Sequence, residues 1–479
     1  MSSPSLNISS LHQLAVAQMS QLVRERKLSP LELLRAHYDR IERLNPKLNA
    51  FIELRQQAAL AEARAAEEAV IRNAKLGPLH GVPISIKSSI SVAGLKFECG
   101  SPTRKGTIAT EDAALVRRLQ KAGAIILGNT NVPEMLMAYE TSNPLYGRTN
   151  SAWDVSRTPG GSSGGEAAAI AAGLCAAGIG SDGGGSIRVP AHFSGICGLK
   201  PTPGRIPITG HWPESGGPFA LLGVVGPMAR SAEDLEIIFG VIAGFDAGDP
   251  MAAPIALNEV AEQELRSIKI GYFEEHPSAP VTEATREAVQ TAVSALRQSG
   301  FRVEPLMPDL LNEAREHWWT LFVRLAAELL TPEFNGRKDE ISTILTYSDQ
   351  PPTKQDLLSA WFRRDELRLR LMRQMNEVPV LICPVCSVPA FRHGEREWKI
   401  NDSRVSYMDA MSYTQWFNLL GNPAVVLPVG VSPEGLPIGV QVVGKPNSEE
   451  LILKIARMLE QCLGSSRSAP MMIDSSTAA

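Results

Sequence analysis

The stretch 157–204, RTPGGSSGGEAAAIAAGLCAAGIGSDGGGSIRVPAHFSGICGLKPTPG, constrains this chain more than any other. Two serine clusters, Ser162–Ser163 and Ser186, sit in glycine-rich loops. An alanine-rich apolar segment of helical length, Glu166 to Leu174, joins them. Glycine at 160, 161, 164 and 165, and again at 183, 184 and 185, exceeds what packing needs. Without a Cβ, such runs reach positive φ and bring bare N–H groups close to a ligand. Hydroxyls beside free N–H donors suit acyl transfer, which needs a nucleophile and an oxyanion hole. Two surface loops are the plain alternative for either cluster alone; the helix-length join between them weakens it.

The rest of the chain reads as α/β. Residues 10–26 and 30–44 have helical spacing. Ser29, Pro30 and Glu32 supply an N-cap, a first-turn proline and a capping glutamate. Residues 54–74 form a solvated amphipathic helix, and 79–92 a strand carrying Lys87. A helix over 111–122 and a strand over 124–128 follow. Ser231 caps a helix within 223–244, and 268–273, 282–298 and 301–306 make a strand–helix–strand unit. Residues 309–376 are helical and hold Trp318, Trp319 and Phe322. Buried strands at 378–384, 424–430 and 438–444 precede a last helix, 449–463. This alternation predicts a large mixed β-sheet core with helices on both faces. No repeat or linker divides it, so 10–464 is one domain between flexible ends, 1–9 and 465–479. The N-terminal helices either pack on the sheet or make a homodimer contact.

Charge and cysteine usage exclude several classes. With 47 basic and 51 acidic residues the net charge is −4, which gives no attraction to nucleic acid. The longest apolar stretch, 167–180, is too short and too rich in Ala and Gly for a membrane span. Six cysteines are sparse for 479 residues and point to a reducing cytoplasm. Cys383 and Cys386 form a CxxC, but no second half-site completes a metal or redox centre.

Three chemistries compete for the glycine–serine region. Gly178, Gly180 and Gly183 spell G-x-G-x-x-G, but the acidic residue a dinucleotide site wants is missing before Glu214. Gly161 to Gly165 fits G-x-S-x-G with Ser163 central, but the only later histidine beyond His317 is His393, in the charged run FRHGERE. The third is a serine hydrolase with a lysine base.

For that third reading the sequence resembles the amidase signature family. The resemblance rests on GGSSGGEAAAIAAGLCAAGIGSDGGGSIRVPAHFSGICGLKPT and on GVPISIK around Lys87. GNTNVPE (128–134), GPMARSAEDL (226–235) and FNLLGNPAVVLPVG (417–430) extend it over most of the chain. It implies an amidase-signature fold with a signature core over about 79–245, a variable specificity region over about 309–376, and a catalytic set of Lys87, Ser162 and Ser186. Ser186 would attack the carbonyl, and Ser162 would pass its proton to Lys87. The N–H groups of Gly183, Gly184, Gly185 and Ser186 would form the oxyanion hole, beside a cis Gly161–Ser162 peptide. Ser163, Asp182 and Arg188 would support the loops. No metal or cofactor is implied.

Lys87 must be neutral to act as a base, and burial lowers a lysine pKa. Ile84, Ile86 and Ile90 around it, with no acid between Leu79 and Lys96, fit that need. Two departures stand out: Gly183 replaces a frequent hydroxyl residue, and Ser88 a frequent acid. Glu166 and FSGICGLKPT resemble the fatty-acid-amide and broad-specificity branch. The expected substrate is a small aryl or acyl amide, with esters or carbamates open to the same chemistry. Met135, Leu136, Met137 and the 309–322 aromatics are candidates for its pocket. The alternatives are the amidase subunit of a tRNA-dependent amidotransferase, and a catalytically silent binding protein on the same scaffold.

Overall fold

The computed structural model describes residues 8–214, 216–334, 336, 350–464 and 469. Of the expected flexible ends, 1–7, 465–468 and 470–479 lie outside the described residues; Ile8 and Ser9 belong to a 3-10 turn, Ile8–Gln13. Part of the 309–376 helical region, 335 and 337–349, also lies outside them.

The core is one mixed sheet of eleven strands. In chain order these are β1 (Phe51–Leu54), β2 (Pro83–Lys87), β3 (Ile125–Thr130), β4 (Ala177–Asp182), β5 (Cys197–Lys200) and β6 (Val224–Ala229). They continue as β7 (Lys269–Tyr272), β8 (Arg302–Pro305), β9 (Val380–Pro384), β10 (Ala424–Val431) and β11 (Pro437–Gly444). The spatial order is β1-β3-β2-β4-β6-β5-β10-β11-β9-β7-β8. β2 lies between β3 and β4, parallel to both. β4 to β11 then pair antiparallel in turn up to β9, and β9, β7 and β8 run parallel.

Both faces are covered, and side-chain alternation shows how. Ile125 and Leu127 join one buried cluster, whereas Ile126 joins the other. Leu381 and Cys383 likewise oppose Val380 and Ile382. Period-two strands buried on both sides read as continuous apolar runs for this reason. One face packs against the helices Gly164–Ala171, Leu311–Trp318 and Ser412–Leu419; the other packs against Ala232–Ile242, Glu283–Gln298 and Glu449–Leu463.

Local signals mostly survive. Ser29 accepts from the Leu31 and Glu32 N–H groups, and Glu32 reaches back in a capping box that opens the helix Pro30–Leu48. Ser231 caps the helix Ala232–Ile242 by accepting from the Asp234 N–H. The 10–26 region is not one helix: the turn ends at Gln13 and a helix begins at Val16. Val16 and Met19 of that helix are buried in the sheet's second cluster, so it packs on the core. Among the described residues, no helix is long and apolar enough to cross a membrane.

Candidate active site

Lys87 ends β2, and Ser181–Asp182 end the neighbouring parallel strand β4. The carboxyl ends of adjacent parallel strands open a crevice in α/β sheets. Two loops fill it here. One holds Gly161–Ser162, joined by a cis peptide, and leads into the helix Gly164–Ala171. The other, 183–187, follows β4 and leads into the helix Arg188–Ser194.

Lys87 is fully buried in an interior strand. Its Nζ donates to Ser162 Oγ (2.7 Å), Ser163 Oγ (2.9 Å), Ser181 Oγ (2.9 Å) and the Ser181 carbonyl (3.3 Å). Burial brings its pKa down to about 7, against the opposing pull of Asp182 and Glu166. An ammonium loses its hydration on burial, and among the described residues no carboxylate pairs with it to compensate. The sequence anticipated the burial but misplaced its cause. Ile84 and Ile86 belong to the cluster on the opposite face of the sheet, as alternation requires. On the lysine's own face lie Ser85, hydroxyls and Glu166. Ser85 and Thr130 (2.8 Å) donate to Glu166, and burial raises that carboxyl to about 8 despite these bonds.

Asp182 organises the second loop. Arg188 grips it with Nε at 3.0 Å and Nη2 at 2.9 Å, both groups fully buried. Its carboxylate also accepts from the N–H groups of Gly185 (2.7 Å) and Ile187 (3.1 Å) and from Asn418 (3.0 Å). Burial pushes Asp182 up, but the Arg188 guanidinium outweighs this and holds it well below the usual carboxylate range. Arg188 is thereby committed to the loop rather than to a ligand. The Gly185 N–H is likewise spent on Asp182, which leaves Gly183, Gly184 and Ser186 as the expected oxyanion donors.

Ser186 and Gly183 are half-buried where most of their neighbours are buried, and both line one cavity. Ser162, Leu136, Met137, Ile208, Phe219 and Phe322 share its wall. Met135 is fully buried and is not part of that wall. Of the expected aromatics, Phe322 lines the cavity, Trp318 packs behind it, and Trp319 faces a separate surface pocket. His211 also lines the cavity, and no motif in the sequence singles it out. Its ring accepts from Ser89 (3.2 Å) and donates to the Pro213 carbonyl (3.3 Å), and burial with the nearby Lys87 lowers its pKa to about 3.

The rival readings find no geometry. A Cβ at Gly178 would stand 1.8 Å from Glu166, at Gly180 2.8 Å from Ser163 Oγ, and at Gly183 2.3 Å from Phe322. The glycine spacing thus admits protein side chains, not phosphates. Ser163 is buried under Lys87 and Ser181, while His393 lines a different surface pocket with Arg148 and Arg396. Cys383 and Cys386 are buried in the core, where burial pushes the Cys386 thiol up to about 12. Ser88, where an acid is frequent, is buried with its Oγ unpartnered among the described residues.

The Amidase family profile matches residues 32–453. The chain belongs to the amidase family. A glutamyl-tRNA(Gln) amidotransferase subunit from Carboxydothermus hydrogenoformans is 30% identical, covering 94% of this chain and 97% of that one. Indoleacetamide hydrolase of Bradyrhizobium diazoefficiens is 33% identical over 94% and 87%. Among solved structures, 6-aminohexanoate cyclic dimer hydrolase complexed with substrate superimposes with a TM-score of 0.85 at 28% identity, covering 96% of this amidase and all of that chain. Fatty acid amide hydrolase, at 23% identity, shares the fold. This amidase is therefore an enzyme of amide C–N bonds. The relatives favour the amidotransferase alternative over the fatty-acid-amide likeness.

Proposed function

We propose that this amidase hydrolyses neutral amides through an acyl-enzyme on Ser186. The observation that carries this reading is the buried Lys87–Ser162 contact of 2.7 Å, with Ser162 and the half-buried Ser186 both on the cavity wall. Ser186 Oγ attacks the carbonyl carbon as its proton passes to Ser162 Oγ, and the Ser162 proton passes to neutral Lys87. The oxyanion meets the N–H groups of Gly183, Gly184 and Ser186. Collapse breaks the C–N bond as the proton returns through Ser162 to the leaving nitrogen. Water then cleaves the ester by the same relay, and neither metal nor cofactor takes part.

The substrate class follows from the wall. It is mainly apolar, and its one carboxylate, Asp182, is already paired with Arg188. Among the described residues that line the cavity, no unpaired cation waits for a carboxylate. An aryl or acyl amide fits better than a free amino acid, and an ester or carbamate is open to the same attack. A second copy of the chain and a cytoplasmic setting complete the reading.

The amidotransferase role is the second reading, and the full-length relatives favour it. Acyl anilides, a carbamate and L-glutamine, assayed side by side with wild type and Ser186→Ala, separate the two. The proposal expects anilide turnover, an intact-mass adduct on Ser186 with a fluorophosphonate, and neither in the folded variant. Turnover of glutamine alone would assign the amidotransferase role. Near-normal activity in Ser186→Ala would remove the nucleophile.

A further inference from the structure

The loop that supplies the proposed oxyanion donors runs Gly183–Gly184–Gly185, three successive positions with no side chain of their own. A glycine peptide can rotate until its carbonyl, not its N–H, faces the cavity. That would present a negative dipole to a developing oxyanion.

A single side chain opposes this rotation. The Trp318 indole N–H donates to the Gly183 carbonyl at 2.9 Å, the one hydrogen bond to that oxygen among the described residues. Trp318 is fully buried and stacks on Phe322, with centroids 5.3 Å apart and planes 20° apart. The fit is close: a Cβ at Gly184 would stand 2.5 Å from the Trp318 ring, and one at Gly183 2.3 Å from Phe322. Glycine at both positions is what lets the aromatic pair lie on the loop. The next carbonyl, Gly184, is held by Tyr139 (2.9 Å) and Thr414 (2.7 Å), and its peptide N–H is the one given to Asp182.

We propose that Trp318 is a positioning residue: by holding the Gly183 carbonyl it aims the Gly184 N–H at the oxyanion. A trans peptide is planar, with C=O and N–H pointing opposite ways, so fixing one fixes the other. This rests on the acyl-enzyme reading above. The tryptophan and its partner sit where Leu311–Trp318 runs into Trp319–Arg324, which adopts π-helical pairing, a local distortion frequent at functional sites. The same segment therefore walls the cavity through Phe322 and aims a donor through Trp318. Substrate groups packing on Phe322 bear on the geometry of the transition state.

The test compares wild type, Trp318→Phe and Trp318→His on an acyl anilide and a small fluorophosphonate. Phenylalanine keeps a ring without a donor; histidine carries a ring N–H the same number of bonds from Cβ. Removing an oxyanion donor outright costs about 100- to 1,000-fold in kcat, so loosening one should cost at least about tenfold. The expected result is that loss in kcat for Trp318→Phe with KM within about twofold. The phosphonylation rate should fall in the same proportion, with partial rescue in Trp318→His. Wild-type kcat and labelling rate in folded Trp318→Phe would overturn the proposal. So would a parallel loss in both variants that tracks a lowered Tm. If Trp318→Phe does not fold, Trp318→Leu takes its place, with the same loss in kcat and labelling expected and wild-type rates again overturning the proposal. Failure of wild type to label Ser186 at all would strike the acyl-enzyme reading instead.

Discussion

Lys87→Met tests the buried base through stability as well as activity. Methionine keeps an unbranched stem of similar reach and removes the charge. The lysine's pKa is about 7 folded against 10.5 for an unperturbed lysine. A cation whose folded value lies below its unfolded value binds fewer protons folded than unfolded. Stability then rises with pH between the two values, here from about 7 to 10.5, and the penalty is full below 7. At about 1.36 kcal/mol per unit, keeping Lys87 buried costs about 5 kcal/mol in acid, about 3 at pH 8, about 2 at pH 9 and about 1 at pH 10. The hydrogen bonds lost with Nζ, each about 1 kcal/mol, do not vary with pH in this window.

The assay is urea unfolding of wild type and Lys87→Met at pH 8, 9 and 10. The variant's stability relative to wild type should fall by about 2 to 3 kcal/mol from pH 8 to pH 10, the difference between the two penalties. Glu166 needs a control. Its carboxyl is raised to about 8 by burial, with Lys87 pulling the other way, so losing the cation raises it further. The same pair in a Glu166→Gln background isolates the lysine. In parallel, wild-type kcat/KM should rise tenfold per pH unit below about 7 and then level, while Lys87→Met stays inactive. A stability difference flat across pH 8–10, or an activity limb near 10, would refute a depressed lysine.

Other perturbations reach the neighbouring parts of the site. Lys87→Arg should stay inactive at every usable pH, since guanidinium does not deprotonate; measurable turnover on an anilide would exclude Lys87 as the base. Arg188→Met leaves Asp182 buried without its cation and should lower unfolding free energy by about 3–5 kcal/mol in urea titration; a loss under about 1 kcal/mol would show that the amide N–H groups suffice. Gly183→Ser puts a Cβ 2.3 Å from Phe322 and should lose most activity, with part regained in Gly183→Ser/Phe322→Ala. Additive losses in that double-mutant cycle would mean the two positions do not clash.

What the sequence could show follows from how far apart the partners lie along the chain. Ser162, Ser163, Ser181, Asp182 and Ser186 fall within one run of glycine-rich turns and a short helix. Their chemistry is local, and glycine spacing advertises it. Lys87 lies on the strand next to β4, so the same α/β rhythm that predicts the sheet brings it close. Trp318, Tyr139, Thr414 and Asn418 give no such signal. Each is 45 to 236 positions from the loop residue it bonds, and each reads locally as a core aromatic or a polar group. The face of Lys87 is hidden in the sequence for a related reason. Isoleucine next door in sequence is across the sheet in space, and only the pleat tells them apart.

This distribution separates two kinds of specification. The proposed relay and nucleophile and the Asp182–Arg188 brace come from one contiguous segment, and the proposed base ends the parallel strand beside it. Folding that segment brings relay and nucleophile together, and pairing β2 with β4 adds the base. The carbonyls of the donor loop are held instead from Leu311–Trp318 and Ser412–Leu419, behind the cavity wall that Phe322 supplies. Substitutions there change the shape offered to a substrate and, through the Gly183 and Gly184 carbonyls, the field offered to its oxyanion. On the proposed role of Trp318, selectivity resides in kcat as much as in KM, because the Phe322 ring on the wall stacks on the tryptophan that holds the donor loop.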